Sequence, residues 1–509
     1  MPFWLIPRLN FGKLKVAVVS PTEYRVGVAN LGVHTLFRIL NSLPDIFVDL
    51  FFLDRLRGLR TENPIGDFDL VLFSVSFELD YPNVAKILKK SGIPVRSEGR
   101  IRPFVVVGGI APSANPIPLS LIADAIVIGE AESTLPKIIE RFSYSKSEFV
   151  DALRELDFVY IPGLKEEATR SWERDVKRFE SISAFIDRDS VFGNMFLVEI
   201  MRGCPHKCRF CLLSYMTLPP RYRPLKPLLG LIASLPYGTP IGLVASAVAD
   251  HPELIEFLEN LPESVGFVTV SSLRIDRLSE KLLTLLKNKG LKTITVAPEA
   301  GTEKLRKIIN KPIPEEVILE GVELAASIGF ERLKIYFMIG LPHEDEDDVI
   351  GITELIHKIR ARFTGHISIT VSAFVPKPHT PFEDEPFMSL KELKRRARII
   401  KVPRDVEISF DVSRNSELQA ILSRGDRRIA EAVAISGEQE LNLRTAFSQL
   451  GIDVERYLNS KGYFESAPYK RIRTGVLRRF IEVERLKAQR AMPTPSCNLA
   501  NCKACGICR

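Results

Sequence analysis

Three cysteines, Cys204, Cys208 and Cys211, stand at C-x3-C-x2-C spacing directly after an apolar run that reads as a strand. Three thiols this close, with no fourth soft ligand nearby, describe a metal site left open at one position. Structural zinc closes a tetrahedron with four protein ligands, whereas an iron–sulfur cube held by three thiolates keeps one iron free. A zinc knuckle is the bland reading, and no cysteine or histidine pair follows at finger spacing to complete one. The other four cysteines, Cys497, Cys502, Cys505 and Cys508, close the chain as C-x4-C-x2-C-x2-C, a complete ligand set. A tetrathiolate zinc site and a second, fully ligated [4Fe-4S] cluster both fit that spacing. The x2 rhythm, like that of ferredoxin loops, favours iron–sulfur; a tail that only holds a basic arm would be served by zinc. No cysteine remains for a disulfide framework, which points to a reducing, cytoplasmic setting.

Taken together, Arg202-Gly203-Cys204-Pro205-His206-Lys207-Cys208-Arg209-Phe210-Cys211 resembles the cysteine loop of the radical S-adenosylmethionine (SAM) enzymes, with an aromatic residue before the third thiol. The resemblance implies that Cys204, Cys208 and Cys211 ligate a [4Fe-4S] cluster whose free iron chelates SAM. It implies that one electron breaks the sulfonium bond to give a 5′-deoxyadenosyl radical, that Phe210 packs near the adenine, and that a flavodoxin or ferredoxin delivers the electron. Its fold would be a partial (β/α)6 barrel.

The elements needed to carry such a loop are visible as strand-helix units over residues 195–385. Strands are expected at 196–200, 241–246, 266–271, 293–297, 333–339 and 367–374. Barrel chemistry sits on the loops at the carboxyl ends of strands. Those loops supply Ser246, Ser272, Glu299 and Gly340 as cofactor-binding candidates. Glu299, in Ala297-Pro298-Glu299-Ala300-Gly301, resembles the family's carboxylate that accepts hydrogen bonds from the SAM ribose; otherwise it caps the helix starting near Thr302. The loop at Ser246 departs from the family's G-G-E, so its ligand atoms stay open. Val375-Pro376-Lys377-Pro378-His379-Thr380-Pro381 is a stiff segment at the barrel mouth, either a rigid lid or one that turns Lys377 and His379 to the substrate. The acidic run Glu344 to Asp348 reads as a helix start.

Residues 1–142 alternate short apolar runs with helical patterns, the mark of a doubly wound, Rossmann-like parallel sheet. Its ligand loops would be Ser74 to Glu78, with Ser74 and Ser76, then Gly108-Gly109, then Gly129-Glu130. The patterns GG-x-A-P-S-x-N-P and D-A-x-V-I-G-E-A-E resemble the cobalamin-binding domain ahead of many radical SAM barrels, which implies cobalamin as a second cofactor. There is no D-x-H-x-x-G, and the domain's lone histidine, His34, on a helix face, reads as structural before it reads as a cobalt ligand. A domain of this fold without any ligand is the alternative.

Residues 143–194 read as a linker, 386–490 as a helical, basic C-terminal region, and 491–509 as the metal-binding tail. In 386–490, the turn Ser423 to Arg428 reads as a knot between helices or a phosphate grip. The net charge is +7. From Glu455 to Arg509 twelve Lys or Arg face four acids, so the excess is concentrated there and suits an RNA or other acidic partner as well as a solvated surface. The uncharged window 227–249 is broken by prolines and glycines and is not a membrane span. Two reactions follow: cobalamin-dependent methyl transfer to an unactivated carbon, or RNA modification of the methylthiotransferase kind using the C-terminal cluster. A non-catalytic iron–sulfur or RNA-binding scaffold is the reading from another class. The substrate itself is not legible.

Overall fold

The computed structural model describes residues 2–7, 12–497, 502 and 504–508. The chain forms two units, Met1–Phe196 with Leu418–Gly475, and Leu197–Glu417 with Val476–Arg509. The stretch 386–490 is therefore not a region by itself; it is shared between the units. Residues 143–194 are likewise more than a linker, since they add a strand to the first sheet. Among the described residues no helix is long and apolar enough to cross a membrane.

In the first unit the apolar runs form β1 (Leu14–Ser20), β2 (Ile46–Phe52), β3 (Leu70–Ser74), β4 (Phe104–Gly108), β5 (Ala125–Val127) and β6 (Val159–Tyr160). They order as β2-β1-β3-β4-β5-β6, parallel except for the last pair. Only Lys15 of β1 reaches solvent, because helices cover both faces and a strand buried on both sides must be apolar throughout. The order reverses between β1 and β3, which makes the loops after these two strands the topological switch point.

Helix α1 (Leu31–Ser42) starts at Asn30, whose side chain accepts from the Gly32 amide. His34 lies on its buried face. The Ala184 amide donates to Nδ1 at 3.1 Å, which leaves Nε2 to donate to the Val28 carbonyl at 3.0 Å. With both nitrogens engaged and the ring against Phe185, His34 is a core residue, and burial pushes its pKa down to about 4. Helix α2 (Tyr81–Lys90) follows β3.

The returning segment 418–475 completes this unit. Its helix α8 (Arg427–Glu438) comes so close to α2 that a Cβ on Gly437 would lie 2.3 Å from Ala85, and Arg96 pairs with Glu438 on it at 2.8 Å. Asn115 donates to the carbonyls of Ser423 and Gly425. Arg424, in the Arg-rich turn, is buried with its guanidinium 4.3 Å from the Phe464 ring centre, a cation–π knot.

The second unit carries β7 (Phe196–Glu199), β8 (Ile241–Val244), β9 (Val268–Val270), β10 (Thr293–Glu299), β11 (Arg332–Ile339), β12 (His366–Ala373) and β13 (Val406–Asp411). The first three and the last four form sheets, and a bridge from Leu273 to Val296 joins them. β13 is a seventh strand where helix was expected. Its V-E-I-S-F-D pattern alternates because an edge strand has one covered face. Along β10, β11 and β12 burial alternates strictly: Ile294, Val296, Leu333, Ile335, Phe337, Ile367, Ile369 and Val371 are enclosed, while their neighbours are half exposed. The apolar set packs under the surrounding helices and the other set faces the barrel interior.

Because His34 is neutral when folded and binds a proton readily when unfolded, it contributes stability above pH ~6.5 that is lost as pH falls towards 4. The urea midpoint of the wild type is expected to fall more between pH 7 and pH 5 than that of His34→Gln; equal slopes would contradict this assignment.

Candidate active site

The cysteine loop leaves β7 through a charged clasp. Burial alone would raise Glu199, but Arg202 and Arg223, both donating at 2.7 Å, outweigh it and hold the carboxyl at about 2. Gly203 then turns at φ +81°, where a Cβ would collide with the Thr217 and Pro219 carbonyls. Cys204 and Cys208 are buried and Cys211 is half exposed. Burial pushes Cys204 up to about 12, with Cys208 and Cys211 adding to it, so the three thiols are within electrostatic range of one another. Burial likewise pushes Cys208 up to about 11, although Lys311 and Arg274 pull the other way. A set of soft donors that repel one another as thiolates is relieved by a cationic iron–sulfur cube, and this loop fits one.

Glu299 ends β10 beyond a register shift, at φ +68°. It is not the helix cap: Thr302 caps α4 (Glu303–Ile308), its hydroxyl accepting from Leu305. A non-glycine residue in the left-handed region costs free energy and is retained where the side chain must point in one direction. Here the carboxylate meets Lys311 at 3.1 Å and acts on Cys208. Gly340, at φ +82°, ends β11, its amide donating to Glu344. Phe210 packs against the cluster of Ala300, Ile309, Leu341 and Phe374. Ser246 and Ser272 are exposed on the adjacent loops after β8 and β9, which Ser271 ties by donating to the Ala245 carbonyl. Asp345 and Asp348 form a reciprocal cap on α6 (Glu346–Arg360), so the acidic run is structural. His379 is buried at φ +62° with its amide on Glu383, which makes the proline segment a closed turn.

The C-terminal tail folds onto the same loop. The Cys497 amide donates to the Pro205 carbonyl at 2.8 Å, Ser496 meets His206, and Lys207 donates to the Pro495 carbonyl. Asn310 joins both, donating to the Lys207 carbonyl and accepting from the Thr494 amide. Burial and the neighbouring Cys502, Cys505 and Cys508 raise Cys497, and Cys505 is enclosed by Tyr215, Leu218, Phe480 and Ile481. Cys497 is thereby held beside the cysteine loop, with Cys502, Cys505 and Cys508 within electrostatic range of it. Behind them the fully buried guanidinium of Arg209 meets Glu484 of α9 (Arg478–Gln489) at 3.1 Å and donates to the carbonyls of Ile308 and Met492. A cavity of about 340 Å³ lies between loop and tail, lined by Lys207, Arg274 and Arg277 against one acid, Asp276. Lys311, Arg209 and Glu484 were not singled out from sequence; the only local hint was Lys311, soon after the glutamate loop.

In the first unit, two of the expected ligand loops are closed by the chain itself. A Cβ on Gly109 would lie 2.1 Å from the Val75 carbonyl, and one on Gly129 would lie 2.0 Å from that of Ser171. Gly108 is open to within van der Waals range of Val127, and Glu130 accepts from the Glu173 amide. The switch point is different. Ser74 is buried at the end of β3, while Ser76 bonds Asn30, and around them Val26, Phe77, Val191 and Phe192 expose 41–54% of their surface. A bulky, partly apolar ligand such as cobalamin would have to lie against this exposed apolar rim. It would have no cobalt ligand from His34.

Comparison with known proteins adds the following. Residues 32–162 match the family model described as radical SAM proteins, N-terminal, and residues 198–356 that of the radical SAM superfamily. The uncharacterized protein MJ0966 of Methanocaldococcus jannaschii is 31% identical over 432 residues, 82% of this chain and 90% of that protein. The tRNA-2-methylthio-N(6)-dimethylallyladenosine synthase of Sorangium cellulosum is 25% identical over 212 residues, 36% of this chain and 42% of that protein. Among solved structures, the radical SAM methyltransferase TsrM of Kitasatospora setae, with cobalamin and a [4Fe-4S] cluster bound, superposes with a TM-score of 0.52 at 14% identity, covering 73% of this chain and 77% of that one.

Removing one partner of a buried ion pair leaves an uncompensated charge. Glu484→Ala is expected to lower unfolding stability by about 3–5 kcal/mol, read as a shift in the urea midpoint, and Arg209→Met/Glu484→Met to recover part of that loss. A single variant as stable as the wild type would contradict the role given to the pair.

Proposed function

The chain belongs to the radical SAM superfamily, and from that premise we propose that it transfers a methyl group to an unactivated carbon with the help of cobalamin. The observation that carries this reading is the exposed apolar rim at the switch point of the first unit, in a fold shared with a cobalamin-containing methyltransferase. When bound, the cluster supplies the electron that cleaves SAM to a 5′-deoxyadenosyl radical, and cobalamin supplies a carrier for the methyl group. The residues do the rest. Cys204, Cys208 and Cys211 would hold the cluster. Glu299, fixed by Lys311, orients SAM from the opposite loop, and Gly340 and Ser272 border its place. Phe210, packed on Leu341 and Phe374, keeps that side of the site dry. Val26 and Phe77 would lie against cobalamin, and Ser76 would offer it a hydrogen bond.

A second reading is favoured by the tail. Cys497, the first of its four thiols, is tied to the cysteine loop by the hydrogen bond to Pro205, and the basic stretch that bears them suits RNA. A [4Fe-4S] cluster there would make the chain an RNA-modifying enzyme of the methylthiotransferase kind, with the tail as sulfur source. Retention of tRNA or rRNA at low salt, lost as salt rises, is its test; no retention at low salt removes it.

Anaerobically reconstituted protein is expected to carry about eight irons per chain, or about four with zinc in the tail, and Cys208→Ser to lower the iron by about four. With hydroxocobalamin present, close to one cobalt should remain after gel filtration. Val26→Asp/Phe77→Asp should weaken that retention at least roughly tenfold, as expected when two apolar contacts are lost. Absence of cobalt from the wild type would overturn the methyl-transfer reading and leave the radical SAM assignment standing.

A further inference from the structure

On β10, β11 and β12 the inner face of the barrel is mostly polar, with Ala297 and Met338 as its apolar members. The polar side chains that point away from the helices include Thr295, Lys334 and Tyr336, then Ser368, Thr370 and Ser372, all half exposed. Parallel register sets them in layers. Thr295, Lys334 and Ser368 share one level, Tyr336 and Thr370 the next, and Met338 and Ser372 the one nearest the cluster loops. An ordinary barrel interior is filled by branched apolar residues that pack against one another. This one presents hydroxyls to an open trough.

Their hydrogen-bonding capacity is largely unspent. Thr370 pairs with Ser409 on β13. Among the described residues, no hydrogen bond or ion pair engages the side-chain polar atoms of Thr295, Tyr336, Ser368, Ser372 or Lys334, and none of the five has a further contact of that kind. Lys334 has only the Tyr336 ring, 5.1 Å from its Nζ. The nearest acid by register, Glu407, lies two strands away on the same level and pairs with His366. An ammonium held on a ring between hydroxyls, without a carboxylate, is an arrangement that an incoming anion completes.

We propose that the trough is the polar wall of the substrate site and that Lys334 receives an oxyanion of the substrate, a phosphate or a carboxylate. The inference rests on the radical SAM reading, because that chemistry places the reacting carbon at the strand ends near Cys204–Cys211 and Glu299. Lys334 stands four residues below Met338, so at ~3.3 Å per residue the oxyanion lies about 13 Å below the uppermost layer. The substrate is therefore extended as well as anionic, with groups along its length that bond Ser368, Thr370 and Tyr336. An apolar substrate would strand these hydroxyls without partners.

The test uses the full, cluster-reconstituted chain and two pairs of probes that differ in one charge, uridine 5′-monophosphate against uridine and N-acetylglutamate against N-acetylglutamine, with binding read by NMR titration. In one pair the anion is expected to bind at least roughly tenfold more tightly, the yield of a charge-assisted hydrogen bond. The pair that shows it identifies the oxyanion. Lys334→Met is expected to abolish the difference, Lys334→Arg to restore most of it, and Lys391→Met, on an exposed helix, to leave it in place. Discrimination in neither pair, or discrimination that survives Lys334→Met in a protein with unchanged melting temperature, overturns the proposal. A SAM-induced change in the EPR spectrum of the reduced cluster, measured on the same sample, reports the radical SAM reading separately.

Discussion

The buried pair of Arg209 and Glu484 is the constraint on which the catalytic unit depends. Arg209 lies between two cysteines of the triad, and Glu484 on a helix 275 residues further on. Two charges without solvent are tolerated only when both are fully hydrogen-bonded. Arg209 meets that condition by spanning Glu484 and backbone carbonyls on either side of it, while Glu484 also accepts from Thr494 and Lys487. The pair therefore fixes the cysteine loop, the turn after α4 and the start of the tail as one body. From that body the Cys497–Pro205 hydrogen bond brings the first of the tail thiols to the triad's loop.

What was legible in the sequence was what local spacing encodes. Three thiols within one loop have to converge wherever the loop goes, so the triad could be read without a fold. The glutamate loop was readable from its resemblance to the family's own, and its position after a strand put it at the carboxyl end of the barrel. The doubly wound sheet and the barrel followed from apolar runs whose period reflects which faces are covered. The glycine loops were read as ligand loops, but at Gly109 and Gly129 the group that approaches the backbone is the chain's own carbonyl. Periodicity shows that a Cβ is excluded and does not identify what excludes it.

What was not legible depends on contacts remote in sequence. Nothing near Glu484 distinguishes it from the other charges of its helix, and its role exists only once that helix is buried against Arg209. The return of residues 418–475 to the first unit has no local mark either, since α8 has the same amphipathic pattern whichever partner it covers. β13 was missed for a different reason. Its alternating pattern was present but short, and it lay inside a charged stretch whose helical neighbours dominated the reading. The polar interior of the barrel was likewise visible as alternation along β11 and β12, but the meaning of its polar half required register across three strands.

Together these parts would form one site, in which Cys204, Cys208 and Cys211 hold the cluster, Glu299 meets SAM, and the substrate extends down the trough. The decisive experiment incubates the reduced, reconstituted protein with SAM under anaerobic conditions and measures 5′-deoxyadenosine. It is expected to form with the wild type and to be lost when any of the three triad cysteines is replaced by alanine. No 5′-deoxyadenosine from a protein shown to hold the triad cluster, or equal amounts from the triad variants, would contradict radical SAM chemistry at the triad.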